Sequence, residues 1–232
     1  TVEMRCDKAP FTDIKVRKAL QLAIDLKTIG ETHHGGMISG KPEGLIYPGY
    51  KGWTIPYDQW PKELQEEYSY NPKLAKQLLT EAGYPNGFKT NIVASTSMED
   101  LELLQIIKSY FKDIGVDMEV KLMDRAAKED FARGGKMDQM TYTNTAGSPR
   151  PPYWNIFLRT PKGGENYTYN FDPHYEGLVN QFLAAPNMDE AKRLCTEADM
   201  YALKQHWVVT TFGTVSVVLW QPWVKGNSGE FL

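Results

Sequence analysis

Two adjacent histidines, two distant cysteines and one loop rich in hydroxyl, amide and aromatic side chains are the places where this sequence could carry chemistry. His33 and His34 suggest a metal or acid–base pair. Neighbouring side chains at a helix end point in different directions and do not readily close on one ion, so a polar helix terminus is the alternative reading. Cys6 and Cys195 lie far apart in the chain, and a disulfide or two free thiols both fit. Neither they nor the four histidines show metal-ligand spacing, and no metal or cofactor is expected. There is no Gly-x-Ser-x-Gly elbow, and Gly35-Gly36 and Gly163-Gly164 lack the strand–loop–helix setting of a phosphate loop. Carboxylates are numerous enough that a paired-acid hydrolase stays open as a minor alternative to a non-enzyme. The stretch Thr143 to Trp154 follows directly from a predicted strand, where open α/β sheets commonly meet their ligands.

The chain that must position these groups has 232 residues, 41% of them hydrophobic and 24% charged, which suits one sizeable domain or two small ones. A net charge of −3 with both signs interspersed argues against a nucleic-acid partner. No stretch approaches the apolar length of a membrane span. The opening Thr1 to Pro10 has no signal-peptide pattern. It reads as a strand already under way, and Gly226 to Leu232 stops abruptly, so the chain is expected to be a piece of a longer protein.

Residues 1–6 read as a strand. Thr12 or Asp13 caps a helix reaching about Ile29, with Val16, Leu20, Ala23, Ile24 and Leu26 on its buried face. Residues 35–61, rich in Gly, Pro, Tyr and Trp, predict a long loop, flexible or bracing another part of the molecule. Trp53, Tyr57 and Trp60 within it either pack in the core or brace a neighbour. A short turn follows at Glu63 to Glu67. Asn71-Pro72 opens a helix that Gly83 closes. Phe88 to Ser95, a helix capped by Ser97 and ended by Gly115, and Val116 to Met123 form a βαβ unit with parallel strands. On the second strand Val116, Met118, Val120 and Leu122 share one face. A helix at Asp124 to Arg133, a strand at Met137 to Tyr142, helices at Pro173 to Ala184 and Asp189 to Lys204, and strands at Val208 to Phe212 and Val215 to Trp220 complete the reading.

Three segments carry a resemblance. Pro10-Phe11-Thr12-Asp13 through Val16-Arg17, Ala19-Leu20 and Ala23-Ile24-Asp25 is similar to the "PF-x-D-x-x-VR-x-AL-x-x-AID" segment of the family 5 extracellular solute-binding proteins, the peptide and nickel receptors of ABC importers. Asn71-Pro72, Ala75, Leu78-Leu79 and Ala82-Gly83-Tyr84 resemble that family's "NP-x-x-A-x-x-LL-x-x-AGY". Trp220 to Gly226 resembles the segment where the chain returns to its other lobe, and Tyr169 to Tyr175 is a weaker match to "Y-x-NPEYD". The resemblance implies an α/β fold: the inserted lobe of a two-lobe, class II periplasmic-binding-protein architecture of the dipeptide- and oligopeptide-receptor kind. Residues 1–232 would be that single inserted lobe, the C-terminal lobe of its parent. It also implies transport of a small molecule or peptide, ABC permease subunits and the missing N-terminal lobe as partners, and a periplasmic or extracellular setting, free or lipid-anchored through the parent's N-terminus. A non-transport interaction or sensor domain on the same fold is the alternative.

The resemblance places ligand contacts at Thr143, Asn144, Thr145, Arg150, Tyr153 and Trp154. Peptide receptors often carry an acid in this segment to hold a peptide's amino terminus. Here Arg150 is the only charge between Thr143 and Trp154, which favours an anionic or polyhydroxy solute. Arg150 offers a bidentate donor to a carboxylate or phosphate, Tyr153 and Trp154 flat apolar contact, and Asn144 and Thr145 orienting hydrogen bonds. Each has a plainer role open to it: core anchor for Trp154, solvated charge for Arg150, turn satisfaction for Asn144 and Thr145.

Overall fold

The computed structural model describes residues 1–38, 40–97, 101–143, 156–157, 159–211 and 223. Its frame is a five-stranded sheet in the order β3-β2-β4-β1-β5. The strands are β1 (Val2–Met4), β2 (Phe88–Ser95), β3 (Val116–Met123), β4 (Met140–Tyr142) and β5 (Val208–Val209). β2 pairs in parallel with β3 and β4, and β1 is antiparallel to both its neighbours, β4 and β5. It follows that β5 runs with β2, β3 and β4, and that β1 alone opposes them.

The expected βαβ unit is present with the expected strand bounds: β2, α5 (Leu101–Asp113) and β3, in register from Phe88 opposite Val116 to Ser95 opposite Met123. The two strand starts are fixed by a backbone contact. A Cβ added to Gly87, whose φ is +72°, would stand 1.9 Å from the carbonyl oxygen of Gly115, so only glycine allows the approach. Along the shared face of β3, Val116 and Met118 are fully buried while Leu122 is 51% exposed.

Alternate residues of a strand point to opposite faces, and here both faces are covered. Val2, Met4, Ile92, Ala94, Met140, Tyr142 and Val209 pack on one side with Val16 and Leu20 of α1 (Ile14–Leu22) and Leu104, Ile107 and Phe111 of α5. On the other side Val93 packs with Met137, Tyr167 and Ala132 of α6 (Arg125–Arg133). Val208 packs there with α7 (Pro173–Leu183) and α8 (Met188–Gln205). A sheet between two helical layers is the α/β architecture the sequence suggested.

The single helix expected from residue 13 to 29 is two. Asp13 caps α1, accepting from the Lys15 amide at 2.8 Å. The carboxylate of Asp25 then accepts from the Thr28 amide at 3.0 Å and starts α2 (Leu26–Thr32) afresh. Ile24, Leu26 and Ile29 are all buried across the break, so apolar spacing gives no sign of it. Asn71 caps α4 (Pro72–Glu81), with α3 (Lys62–Glu67) before it. The strand expected from Met137 is ordered into the sheet only from Met140. Ser97 as the cap of α5, and the strand Val215 to Trp220, fall at or within segments outside the described residues.

Between α2 and a short 3-10 turn at Tyr57–Gln59, no helix or strand forms among the described residues. This loop is tied to α8. The buried carboxylate of Asp199 accepts from the Leu45 amide at 2.7 Å and the Thr54 hydroxyl at 2.6 Å, and the Thr196 hydroxyl donates to the Trp53 carbonyl. Trp60 is 3% exposed, its indole N–H donating to the Ile55 carbonyl and its ring meeting those of Tyr57 and Tyr68 edge-on. Trp53 meets Phe182 of α7.

Candidate functional site

Because β2, β3, β4 and β5 run one way and β1 the other, four strand ends and one strand start share an edge. Ser95, Met123, Thr143 and Thr210–Thr211 arrive there, and Thr1 leaves from it. Thr143 continues the β1–β4 pairing: its amide donates to the Thr1 carbonyl at 3.0 Å, and the Thr1 nitrogen donates to the Thr143 carbonyl at 2.8 Å. The carboxyl edge of a parallel sheet is where α/β proteins bind ligands, so the predicted location and the observed edge coincide at Thr143.

Thr143 itself faces inward. It is 7% exposed, and its hydroxyl donates to Glu3 Oε1 at 2.9 Å while standing 2.9 Å from the Thr1 hydroxyl. Its role in the structure is therefore to secure the edge, and the sequence did not signal this. Asn144, Thr145, Arg150, Tyr153 and Trp154 lie outside the described residues.

Beneath the edge is a set of buried charges. Glu3, on the face of β1 opposite Val2 and Met4, is 1% exposed, and its Oε2 lies 3.1 Å from Arg159 Nη1. Lys128 of α6, 3% exposed, donates to the carbonyl of Tyr142 at the end of β4. On the opposite face Gln21 of α1, fully buried, donates to the Thr210 carbonyl at 3.2 Å and accepts from its amide at 2.8 Å. A side-chain amide thus acts as one more strand alongside the outgoing segment. Arg17, one turn earlier, donates to the carbonyls of Phe11 and Gln205. Arg17 is a residue of the first family-like motif and Gln21 lies at one of its open positions, and their work in the structure is to join α1 to Gln205 and Thr210.

Three further groups bear on chemistry. Cys6 and Cys195 are free thiols, both pushed up to about 12 by burial, so neither is a ready nucleophile. His206, at the left-handed C-cap of α8, stacks on Tyr68 and holds Glu67 at 2.9 Å. Burial keeps the imidazole below its ordinary value. Its hydrogen bond and the Lys18 ammonium hold the Glu67 carboxyl down at about 2. The rings of His33 and His34 meet edge-on at the end of α2, 4.6 Å between centroids. Among the described residues no group of three His, Cys, Asp or Glu side chains is placed to hold a metal ion.

Residues 1–166 match the family described as bacterial extracellular solute-binding proteins, family 5 Middle. The chain belongs to this family. Over 97% of its length it is 26% identical to heme-binding protein A of Haemophilus influenzae, and it spans 41% of that protein. Over 67% of its length it is 30% identical to the glutathione-binding protein GsiB of Pectobacterium atrosepticum, spanning 29% of that protein. Among solved structures, the dipeptide-binding protein of Pseudoalteromonas sp. SM9913 in complex with Met-Leu superimposes over 91% of this chain with a TM-score of 0.75 at 21% identity. The chain covers 42% of that protein, so the family 5 member shares its fold over less than half the neighbour's length. These family 5 relatives are binding proteins by name, in keeping with a non-enzyme.

Proposed function

We propose that this chain is one lobe of a solute receptor for an ABC importer, contributing half of a cleft whose other half is an N-terminal lobe of the same parent protein. The observation that carries the reading is the sheet's carboxyl edge. Thr1, Thr143 and Thr210 stand there side by side, so the incoming strand, the outgoing strand and the start of segment 143–154 meet on one rim. A second lobe joined through the first two would stand over the third. Capture then follows from closure of the lobes, the solute stabilising the closed form by its greater affinity for it, and the closed form docks on permease subunits. The parent works in the periplasm or outside the cell, free or lipid-anchored.

The solute is a small polar molecule or peptide. The lone charge of the segment, Arg150, suits one bearing a carboxylate, phosphate or several hydroxyls. Relatives named for heme and glutathione, and a structural neighbour holding Met-Leu, define the panel to try.

The test is thermal unfolding and calorimetry of the full-length parent with reduced glutathione, hemin and Met-Leu. A solute at a hundred times its Kd raises stability by about 2.7 kcal/mol and shifts the Tm measurably. The isolated lobe, holding half the contacts, is expected to bind the same solute far more weakly. Binding by the isolated lobe as tight as by the parent would overturn the two-lobe reading.

A further inference from the structure

We propose that the outer edge of β3 is a self-pairing surface, through which two copies of this protein join antiparallel about a two-fold axis at Val120. β3 is eight residues long and ends the strand order, so among the described residues no strand pairs with its outer side. Successive residues of a strand turn their N–H and C=O groups to opposite edges. The Met123 carbonyl accepts from the Thr96 amide at 3.1 Å, so the odd-numbered residues of β3 bond to β2. Met118, Val120 and Leu122 therefore turn theirs outward. Such a row is a template for a further strand unless proline, a bulge or charge blunts it. β3 carries no proline, stays in register with β2 from end to end, and presents Leu122 at 51% exposure.

The charges on the edge decide what covers it. Glu119 and Lys121 share one face, 3.9 Å apart, with side chains 70% and 40% exposed. When Val120 stands opposite Val120 of a second copy, Glu119 of each copy faces Lys121 of the other, and Leu122 faces Met118. Asp117 meets the uncharged Met123. In this register the outward-turned residues oppose one another, Met118 with Leu122 and Val120 with Val120, and exchange backbone hydrogen bonds. A slip of one residue sets outward groups against groups already bonded to β2. A slip of two sets Glu119 against Glu119 or Lys121 against Lys121, and like charges directly opposite destabilise a strand pair. One alignment thus satisfies both backbone and charge, and an identical chain supplies it, as a two-fold interface requires. β2 and β4 separate β3 from β1, so the pairing does not touch the strands that carry the incoming and outgoing chain.

This inference goes beyond the transport reading and depends on no solute. Sedimentation velocity is followed over a concentration series of the full-length protein as wild type, Glu119→Lys, Lys121→Glu and the variant carrying both exchanges. A single strand edge makes a small interface, so wild type is expected to dimerise weakly, with a Kd of roughly 10–100 µM. Salt should weaken the dimer further, because its ion pairs are exposed. Glu119→Lys alone sets lysine against lysine across the axis, and Lys121→Glu alone sets glutamate against glutamate. Each is expected to raise the dimer Kd about tenfold or more. The variant with both exchanges restores opposite charges and should return to the wild-type Kd. Mixing the two single variants tests the register itself: each lysine then meets a glutamate, so the mixture is expected to dimerise where neither variant does alone. A wild type that stays monomeric at several times the expected Kd overturns the proposal. So do single variants that dimerise like wild type, or a mixture that stays monomeric.

Discussion

Gln21 and Thr210 are joined by a reciprocal pair of hydrogen bonds, side-chain amide to backbone, across 189 positions of sequence. Both are sealed from water, at 0% and 2% exposure. Replacing Gln21 with Met keeps the volume and removes both partners, leaving a buried N–H and a buried C=O unpaired. Each such group costs about 1–3 kcal/mol. Gln21→Met is therefore expected to lower stability by about 2–4 kcal/mol, read as a fall in urea midpoint with unchanged slope.

Asp199 and Glu67 should titrate stability in opposite directions. Burial raises the Asp199 carboxyl from 3.8 to about 6, so the folded chain holds a proton the unfolded chain has lost. That contribution is fully present below about 3.8 and disappears as pH rises through 6, on the order of 3 kcal/mol across the window. Asp199→Asn keeps an acceptor for the Leu45 amide and has no proton to lose. Unfolding free energies measured between pH 4 and 7 should therefore fall with pH in wild type relative to this variant.

Glu67 is held down from 4.5 to about 2, chiefly by the His206 hydrogen bond, with Lys18 beside it. Its contribution is present above 4.5 and lost as pH falls toward 2. Glu67→Gln should be the less stable protein at pH 7, with the gap to wild type closing between pH 4.5 and 2. A gap that stays constant over that range would show that Glu67 acts through packing and not through its charge.

Two glycines separate conformational from steric cost. Gly83 has φ +90° and open space around an added Cβ, whereas Gly87 has φ +72° and the Gly115 carbonyl 1.9 Å away. Gly83→Ala is expected to cost about 1 kcal/mol. Gly87→Ala should cost more than about 3 kcal/mol, because backbone must move apart where β2 and β3 begin. Thermal midpoints of the two variants check the ranking.

The parts of the fold legible in sequence are those where a repeat ends in a stop. β2 and β3 were readable because Gly87 and Gly115 mark their starts and helix-capping residues follow their ends, and α4 because Asn71, Pro72 and Gly83 mark both ends. The break between α1 and α2 was hidden because buried residues continue through it. Glu3, Gln21 and Asp199 were unreadable as buried groups: each sits at a polar position of its pattern, and the groups that meet it, Thr143 and Arg159, Thr210, and Leu45 and Thr54 respectively, come from distant sequence. Of the candidate ligand residues, the sequence located Thr143 at the sheet edge through its place after a strand. It could not show that the hydroxyl turns inward, since the acceptor, Glu3, lies 140 residues away.

The position of β1 between β4 and β5 has a consequence for how the chain is made. Val2 pairs with Tyr142 on one side and Val209 on the other. A ribosome adding about 5–20 residues per second needs roughly 10–40 s to pass from the first of these partners to the last. For that interval β1 stays without its final neighbour, while the local β2–α5–β3 unit already has every residue it needs. Nascent chains arrested before position 209 should thus hold a protected βαβ unit beside an open β1. Any factor that keeps this sheet from pairing wrongly would have β1 to guard until β5 is made.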